Sequence, residues 1–102
     1  MSKNILIIAE TGISSKLFLE KFENFLNYAS SNSKGELTSL NDFVENLDNE
    51  KYTNVLLAPN AHVLEVHVKD YLNRVKSDAK VSLISEKDYM MMNVEKIVID
   101  LL

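Results

Sequence analysis

Three short segments along the chain are rich in aliphatic residues and separated by longer polar and mixed stretches. Residues 4–9 read NILIIA, residues 54–59 read NVLLAP and residues 80–85 read KVSLIS. The first two are continuous apolar runs, which is typical of strands buried on both faces of a parallel sheet. Residues 36–40, ELTSL, predict a further and weaker strand. We therefore expect four strands.

Apolar residues recur at helical spacing after the first strand. Phe18, Phe22 and Leu26 lie on one face of a predicted amphipathic helix, with charged and amide residues between them. Ser14 is a suitable N-cap for this helix. The stretch SSNSKG, residues 30–35, is rich in turn-forming residues and should end it.

Shorter helical stripes follow each of the later strands. Residues 40–48 predict a short second helix, and a clear stripe from Leu64 to Val75 predicts a third. Asn60, directly after the only proline, is a candidate cap for the third helix. A last helix is expected from Val94 onwards, with Asn93 as its cap.

This alternation of strands and helices predicts an α/β fold in which the strands are parallel and the crossovers right-handed. We expect a three-layer, flavodoxin-like domain over residues 1–102, with sheet order 2-1-3-4 and helices on both faces. Ligands of such sheets bind at the carboxyl ends of the strands, where the strand order reverses. Residues 9–15 and 58–61 should meet there, with residues 86–93 nearby.

The composition narrows the classes of function. The formal net charge is −4 and basic residues are scattered, which argues against nucleic-acid binding. The chain contains no cysteine, so disulfides and thiolate chemistry are excluded. Its apolar runs are too short for a signal peptide or for the roughly 18 residues that span a bilayer. We expect a cytoplasmic protein without direct membrane insertion.

The histidines and methionines suggest little beyond ordinary surface and core roles. His62 and His67 are five apart on a predicted helix and face different directions, so we expect no metal site, and no cofactor is implied. His62 lies near the point of strand reversal, either as a surface residue or as a phosphate acceptor. Residues 89–92, YMMM, are either a soft binding surface or core filler with one or two methionines exposed.

The loop after the first strand is the main candidate for chemistry. Backbone N–H groups at a helix N-terminus attract anions, and hydroxyls, a glycine and a lysine accompany them here. This candidate phosphate loop consists of Ala9, Glu10, Thr11, Gly12, Ile13, Ser14, Ser15 and Lys16. Gly12 would permit a left-handed or tight backbone. An ordinary capped turn explains the same residues, and the loop lacks the Walker A pattern.

Glu10 opposes the phosphate interpretation. A carboxylate within a few ångströms of a phosphate costs roughly 1–4 kcal/mol, depending on the effective dielectric constant. The side chain could instead face solvent or lie at the end of the helix that attracts anions.

Three blocks of sequence together resemble a known family. They read ILIIAETGISSKL, VLLAPNAHVL and DYMMMNVEKIV. In this order they are similar to the lactose/cellobiose-type IIB component of the bacterial phosphoenolpyruvate-dependent sugar phosphotransferase system. Members of that family typically show C-x-x-G-[MI]-S-[TS]-S-L, then LLGPQ, then DYGxMNGEKVL. The resemblance runs from about Lys3 to the C-terminus and implies the same fold.

The resemblance also assigns roles by position. The family glycine falls on Gly12, and its hydroxyl residues fall on Ser14 and Ser15. The family cysteine accepts phosphate from a phosphohistidine of the IIA component and passes it to sugar bound by the membrane component IIC. That cysteine falls on Ala9, which has no atom to phosphorylate.

The other two blocks carry over in the same way. GPQ falls on Ala58, Pro59 and Asn60, and DYG on Asp88, Tyr89 and Met90, while MNGEK falls on residues 92–96. The glycines that would fall on Ala58, Met90 and Val94 are missing, and Lys16 replaces a serine or threonine. The residues expected to face a partner are Pro59, Asn60, His62 and Tyr89.

Four hypotheses remain open at this point. The chain is a IIB-like protein that cannot carry phosphate and acts by binding IIA, IIC or a regulator related to the system. Alternatively, it is an active phosphocarrier with a displaced acceptor, or a IIB whose cysteine was replaced by design. A small-anion or nucleotide binder with the same architecture is the fourth. The candidate displaced acceptors are Thr11, Ser14, Ser15, His62 and Glu10.

Overall fold

The structure, a computed structural model, describes residues 2–30 and 32–102. Met1 and Ser31 lie outside the described residues, so the predicted turn at residues 30–35 is described except at Ser31. Within the described residues, four parallel strands form one sheet in the order β2-β1-β3-β4. The strands are β1 (Asn4–Ile8), β2 (Lys34–Thr38), β3 (Asn54–Leu57) and β4 (Lys80–Leu83).

Helices cover both faces of this sheet, which confirms the predicted α/β fold and its strand order. A 3₁₀ segment, Pro59–Leu64, comes between β3 and the helix that follows it. The α-helices are α1 (Ile13–Ala29), α2 (Phe43–Asn49), α3 (Glu65–Arg74), α4 (Glu86–Met90) and α5 (Val94–Leu101). None of these described helices is long and apolar enough to cross a membrane.

The central strand β1 explains why the sheet is covered on both sides. Ile5 and Ile7 lie in the core layer that contains Phe22 of α1 and Val98 of α5. Leu6, next to them, lies in the opposite layer, together with side chains from α2 and α3. Because successive side chains of a strand point to opposite faces, a run of apolar residues needs a helical layer on each side.

Strand β2 begins two residues earlier than predicted. The Lys34 N–H donates to the Lys3 carbonyl at 2.9 Å, and the Ser33 hydroxyl accepts from the Lys3 N–H at 2.8 Å. These bonds start the pairing with β1 directly after the turn. Gly35 therefore lies inside the strand rather than in the turn, directly beneath Phe22.

Helix α4 is an element that the apolar pattern did not predict. The Ser85 hydroxyl caps it by accepting a hydrogen bond from the Asp88 N–H at 3.1 Å. Asn93 does stand at the N-cap position of α5, as predicted, but its side chain donates to Asp88 Oδ1 at 3.0 Å. Asp88 thus joins α4 to the start of α5.

Candidate functional site

Ala9 directly follows β1. Its side chain is completely buried, and its N–H donates to the Thr38 carbonyl at 3.0 Å. Ala58 holds the matching position after β3, is equally buried, and donates to the Ile8 carbonyl at 3.0 Å. The residues that follow the two central strands therefore carry buried methyl groups and no nucleophile.

The N-terminus of α1 differs from the prediction. The helix begins at Ile13 with Gly12 as its N-cap, so Ser14 is not the cap. Ser15 supports this end instead, since its hydroxyl accepts from the Gly12 N–H at 2.9 Å and donates to the Gly12 carbonyl at 3.1 Å. Ser15 is buried. Its hydroxyl is therefore engaged with the backbone rather than presented to the loop.

Gly12 also does not adopt the left-handed backbone that the sequence suggested. Its φ is 175°, an extended conformation that any residue can take. A Cβ atom added there would meet nothing within 4 Å. Neither backbone conformation nor close packing therefore requires glycine at this position.

The first turn of α1 retains the features of an anion-attracting helix end. The N–H groups of Ile13, Ser14 and Ser15 precede the first intrahelical bond, which the Lys16 N–H makes to the Gly12 carbonyl at 3.1 Å. Thr11, Ser14 and Lys16 are exposed. The loop thus combines free backbone donors, two accessible hydroxyls and a cation at the positive end of a 17-residue helix.

Glu10 faces across the strand reversal toward the loop after β3. Its N–H donates to Asn60 Oδ1 at 3.2 Å, and its Oε2 accepts from Asn60 Nδ2 at 3.5 Å. Asn60 lies within the 3₁₀ segment and does not cap a helix as predicted. We refer to this pair of contacts between Glu10 and Asn60 as the clasp. It places a carboxylate over the gap between the ends of β1 and β3.

His62 is committed to a backbone contact. It lies in the 3₁₀ segment rather than in the first turn of an α-helix, and its Nε2 is 2.9 Å from the Ile84 carbonyl oxygen. Because a carbonyl can only accept, this contact requires the proton on Nε2. Within the residues that the structure describes, no group of three or more acidic and histidine side chains could hold a metal ion.

Tyr89 and Pro59, the other residues expected to face a partner, are only partly exposed. The Tyr89 ring packs on Phe18 of α1 with centroids 4.8 Å apart, and burial raises the pKa of its phenol. Of the predicted site residues, the structure joins Glu10 to Asn60 across the reversal. Tyr89 instead contacts Phe18, and His62 contacts the Ile84 carbonyl.

Asp88 explains part of the third sequence block in physical terms. It accepts hydrogen bonds from Asn93 at 3.0 Å and from Lys96 at 3.2 Å. The Asn93 bond, followed by the Lys96 bond, lowers the pKa of the Asp88 carboxyl below its usual value. These three residues of the block therefore hold α4 against α5 and need no role in chemistry.

Several exposed apolar side chains lie on elements that follow the strands, and Leu17 and Val63 among them were not predicted as site residues. Ile13 and Val63 are more than four-fifths exposed, and Leu17 is about half exposed. Met90 and Met91 are also exposed, whereas Met92 packs partly against the core, as the second interpretation of YMMM expected. A signal was present for Leu17, because it falls outside the apolar stripe of its helix. We call the five exposed residues of this group the apolar rim: Ile13, Leu17, Val63, Met90 and Met91.

The fold is shared with solved IIB domains. The lactose-specific IIB domain of the phosphotransferase system from Streptococcus pneumoniae superposes with a TM-score of 0.75, over 98% of this chain and 97% of that chain, at 10% sequence identity. The cellobiose-specific phosphotransferase IIB component from Borrelia burgdorferi superposes with a TM-score of 0.70, over 96% and 86%, at 23% identity.

Comparisons of sequence alone find no such relationship. No protein-family model matches the chain, and no curated protein matches it significantly. What this protein shares with the two IIB domains is therefore its three-dimensional fold, over nearly the whole chain.

Proposed function

We propose that this chain is a IIB-like component of the sugar phosphotransferase system that does not carry phosphate and acts through protein binding. The observation that carries the proposal is Ala9, a buried methyl group at the position where the resemblance places the phosphorylated cysteine. The fold shared with lactose- and cellobiose-specific IIB domains supports the choice of system. The proposal places the chain in the cytoplasm.

The partners proposed are the IIA component, the IIC component or a regulator related to the system. Support comes from the apolar rim, whose residues lie on elements that follow β1, β3 and β4. Exposed apolar residues mark a protein-binding surface when they form a contiguous patch. The free N–H groups of α1 also follow β1 and offer polar contacts to a docked protein.

A displaced phosphate acceptor is the competing function. Thr11 and Ser14 favour it, because both hydroxyls are exposed beside the free N–H groups of α1. Ser15 is a poorer candidate, since both of its hydrogen bonds go to Gly12. A hydroxyl needs a positioned base to become a good nucleophile, and His62 is held on the Ile84 carbonyl.

Phosphate transfer distinguishes these two functions. The protein and its Ala9→Cys variant would each be incubated with phosphoenolpyruvate, the general phosphotransferase proteins and a lactose/cellobiose-type IIA component. Intact mass would then be read before and after treatment with acid and base. We expect the wild-type mass to stay unchanged, because the loop lacks a thiolate. We expect the Ala9→Cys variant to gain one phosphoryl group.

A phosphoryl group on the wild-type chain would contradict the proposal, and the stability of the adduct would identify the type of acceptor. Binding of the wild-type chain to purified IIA and to detergent-solubilised IIC would be measured in parallel. Absence of binding to both, together with an unphosphorylated Ala9→Cys variant, would mean that the resemblance describes the fold and not the function.

A further inference from the structure

The clasp holds a negative charge in a defined place. Two contacts join Glu10 to the same side chain, one through its backbone N–H at 3.2 Å and one through Oε2 at 3.5 Å. Asn60 belongs to the loop after β3, whereas Glu10 belongs to the loop after β1. Glu10 is exposed to solvent. Its two contacts with Asn60 nevertheless hold its carboxylate at the strand reversal.

Glu10 stands two residues before the N-cap of α1. Glu10 is the only acidic residue between Ala9 and Lys16, and the first turn of α1 reads ISSK. Negative charge is favoured near the N-terminus of a helix, and the N-cap here is a glycine without a side chain. The chain thus supplies its own anion one residue after the position of the missing nucleophile.

We propose that Glu10 substitutes for the charge of a phosphoryl group, so that the chain permanently presents the surface of a phosphorylated IIB. This inference rests on the proposed function and specifies its partner. The partner is the IIA component in its unphosphorylated form, which is the state of IIA that would stand opposite a phosphorylated IIB after transfer.

Electrostatics give the reason for this preference. Phosphorylated IIA brings a second anion to the loop, and phosphoryl groups carry at least one negative charge at neutral pH. Two unit charges of the same sign about 4 Å apart change a binding constant about fivefold even at the dielectric constant of bulk water, and more where water is excluded. Unphosphorylated IIA meets no such repulsion from Glu10.

The test is a pair of dissociation constants for each of three proteins. A lactose/cellobiose-type IIA component would be titrated into the wild-type chain, unphosphorylated and after phosphorylation by phosphoenolpyruvate and the general proteins. We expect the unphosphorylated form to bind at least about fivefold more tightly. Glu10→Gln should lose this preference while keeping a side-chain oxygen for Asn60. Glu20→Gln is the matched control, because it changes the net charge equally on an exposed position of α1.

The outcomes separate this inference from the proposed function. Equal affinity of the wild-type chain for both forms of IIA, or an unchanged preference in Glu10→Gln, would overturn the inference and leave the binding function standing. Binding to IIC but not to IIA would also overturn the inference and leave the binding function standing. Absence of binding to IIA and IIC would overturn the proposed function itself.

Discussion

Lys76 and Met92 both have positive φ, a backbone conformation that residues other than glycine rarely adopt. Their φ values are 58° and 52°. Lys76 follows the C-cap of α3, and the next N–H, that of Ser77, donates to the Leu72 carbonyl at 2.9 Å. This closure at the end of a helix normally uses glycine. Met92 lies between α4 and α5, and its side chain packs against the core.

Replacing Lys76 by glycine should therefore stabilise the protein. The left-handed conformation costs a non-glycine residue about 1 kcal/mol, and the exposed Lys76 side chain provides little packing to lose. We expect Lys76→Gly to raise the free energy of unfolding by up to about 1 kcal/mol, measured from urea midpoints at constant slope.

Met92→Gly is the matched comparison for this prediction. It relieves the same backbone conformation but removes a side chain that packs on the core, so we expect a net loss of stability. A gain in Met92→Gly, or a loss in Lys76→Gly, would show that backbone conformation does not control stability at these positions.

Residue-level details of the site were the least predictable from sequence. Ser14 and Asn60 are both good caps by residue type, yet neither caps a helix here. The Asn60 side chain is instead bonded to Glu10, fifty positions away in the sequence. Propensities describe what a side chain does with its own backbone. They carry no information about partners that only the folded sheet brings close.

At the scale of elements, α1 packs so closely on β2 that one strand residue cannot carry a side chain freely. A Cβ atom at Gly35 would lie 3.2 Å from Phe22 Cδ2 and 3.3 Å from Phe22 Cε2. Phe22 is completely buried and forms part of the core layer under α1. The ring therefore has little room to move away.

Gly35→Ala should lower the stability of the protein by about 1 kcal/mol or more, because it overpacks this contact. The entropy lost by the unfolded chain on replacing glycine offsets only part of that cost. Gly12→Ala is the control, since it makes the same chemical change where nothing lies within 4 Å. We expect it to stay within about 1 kcal/mol of wild type, and thermal or urea unfolding of both variants measures the difference. Equal effects of the two substitutions would argue against close packing at Gly35.

The elements themselves were mostly predictable, with errors at their ends. All four strands were identified, because three aliphatic segments and one weaker one match β1 to β4 in order. The pattern predicts a later start for β2 because glycine is typical of turns, whereas Gly35 lies within the strand and packs against Phe22. Helix α4 was missed although Ser85 and Asp88 stand three residues apart, a spacing typical of a capped helix start.

At the scale of the whole molecule, the fold could be predicted from the apolar pattern of the sequence, whereas the site could not. A strand such as β1, apolar on both faces, requires two helical layers, and that requirement alone selects a three-layer sheet. The direction of Glu10 and the contact of His62 depend on distances between loops that no local pattern encodes. The burial of Ala9 likewise became visible only in three dimensions.

Two carboxylates at opposite ends of the sheet should make the whole molecule sensitive to acid. The bond from Asn4 lowers the pKa of Glu50, and the bonds from Asn93 and Lys96 lower the pKa of Asp88. Unfolding restores the ordinary pKa values of about 4.5 and 3.8, so below pH 5 these two groups bind more protons in the unfolded chain than in the folded one. The stability that these groups contribute is present above that range and is lost as the pH falls through it.

We therefore expect urea midpoints to fall between pH 5 and pH 3, and to fall less steeply in Asp88→Asn. The substituted side chain cannot be protonated, so its part of the pH dependence disappears, whatever its effect on stability at neutral pH. Asp70→Asn, on the exposed surface of α3, is the matched control and should keep the wild-type slope. An Asp88→Asn variant that loses stability in acid as steeply as the wild type would mean that the join between α4 and α5 does not depend on an ionised Asp88.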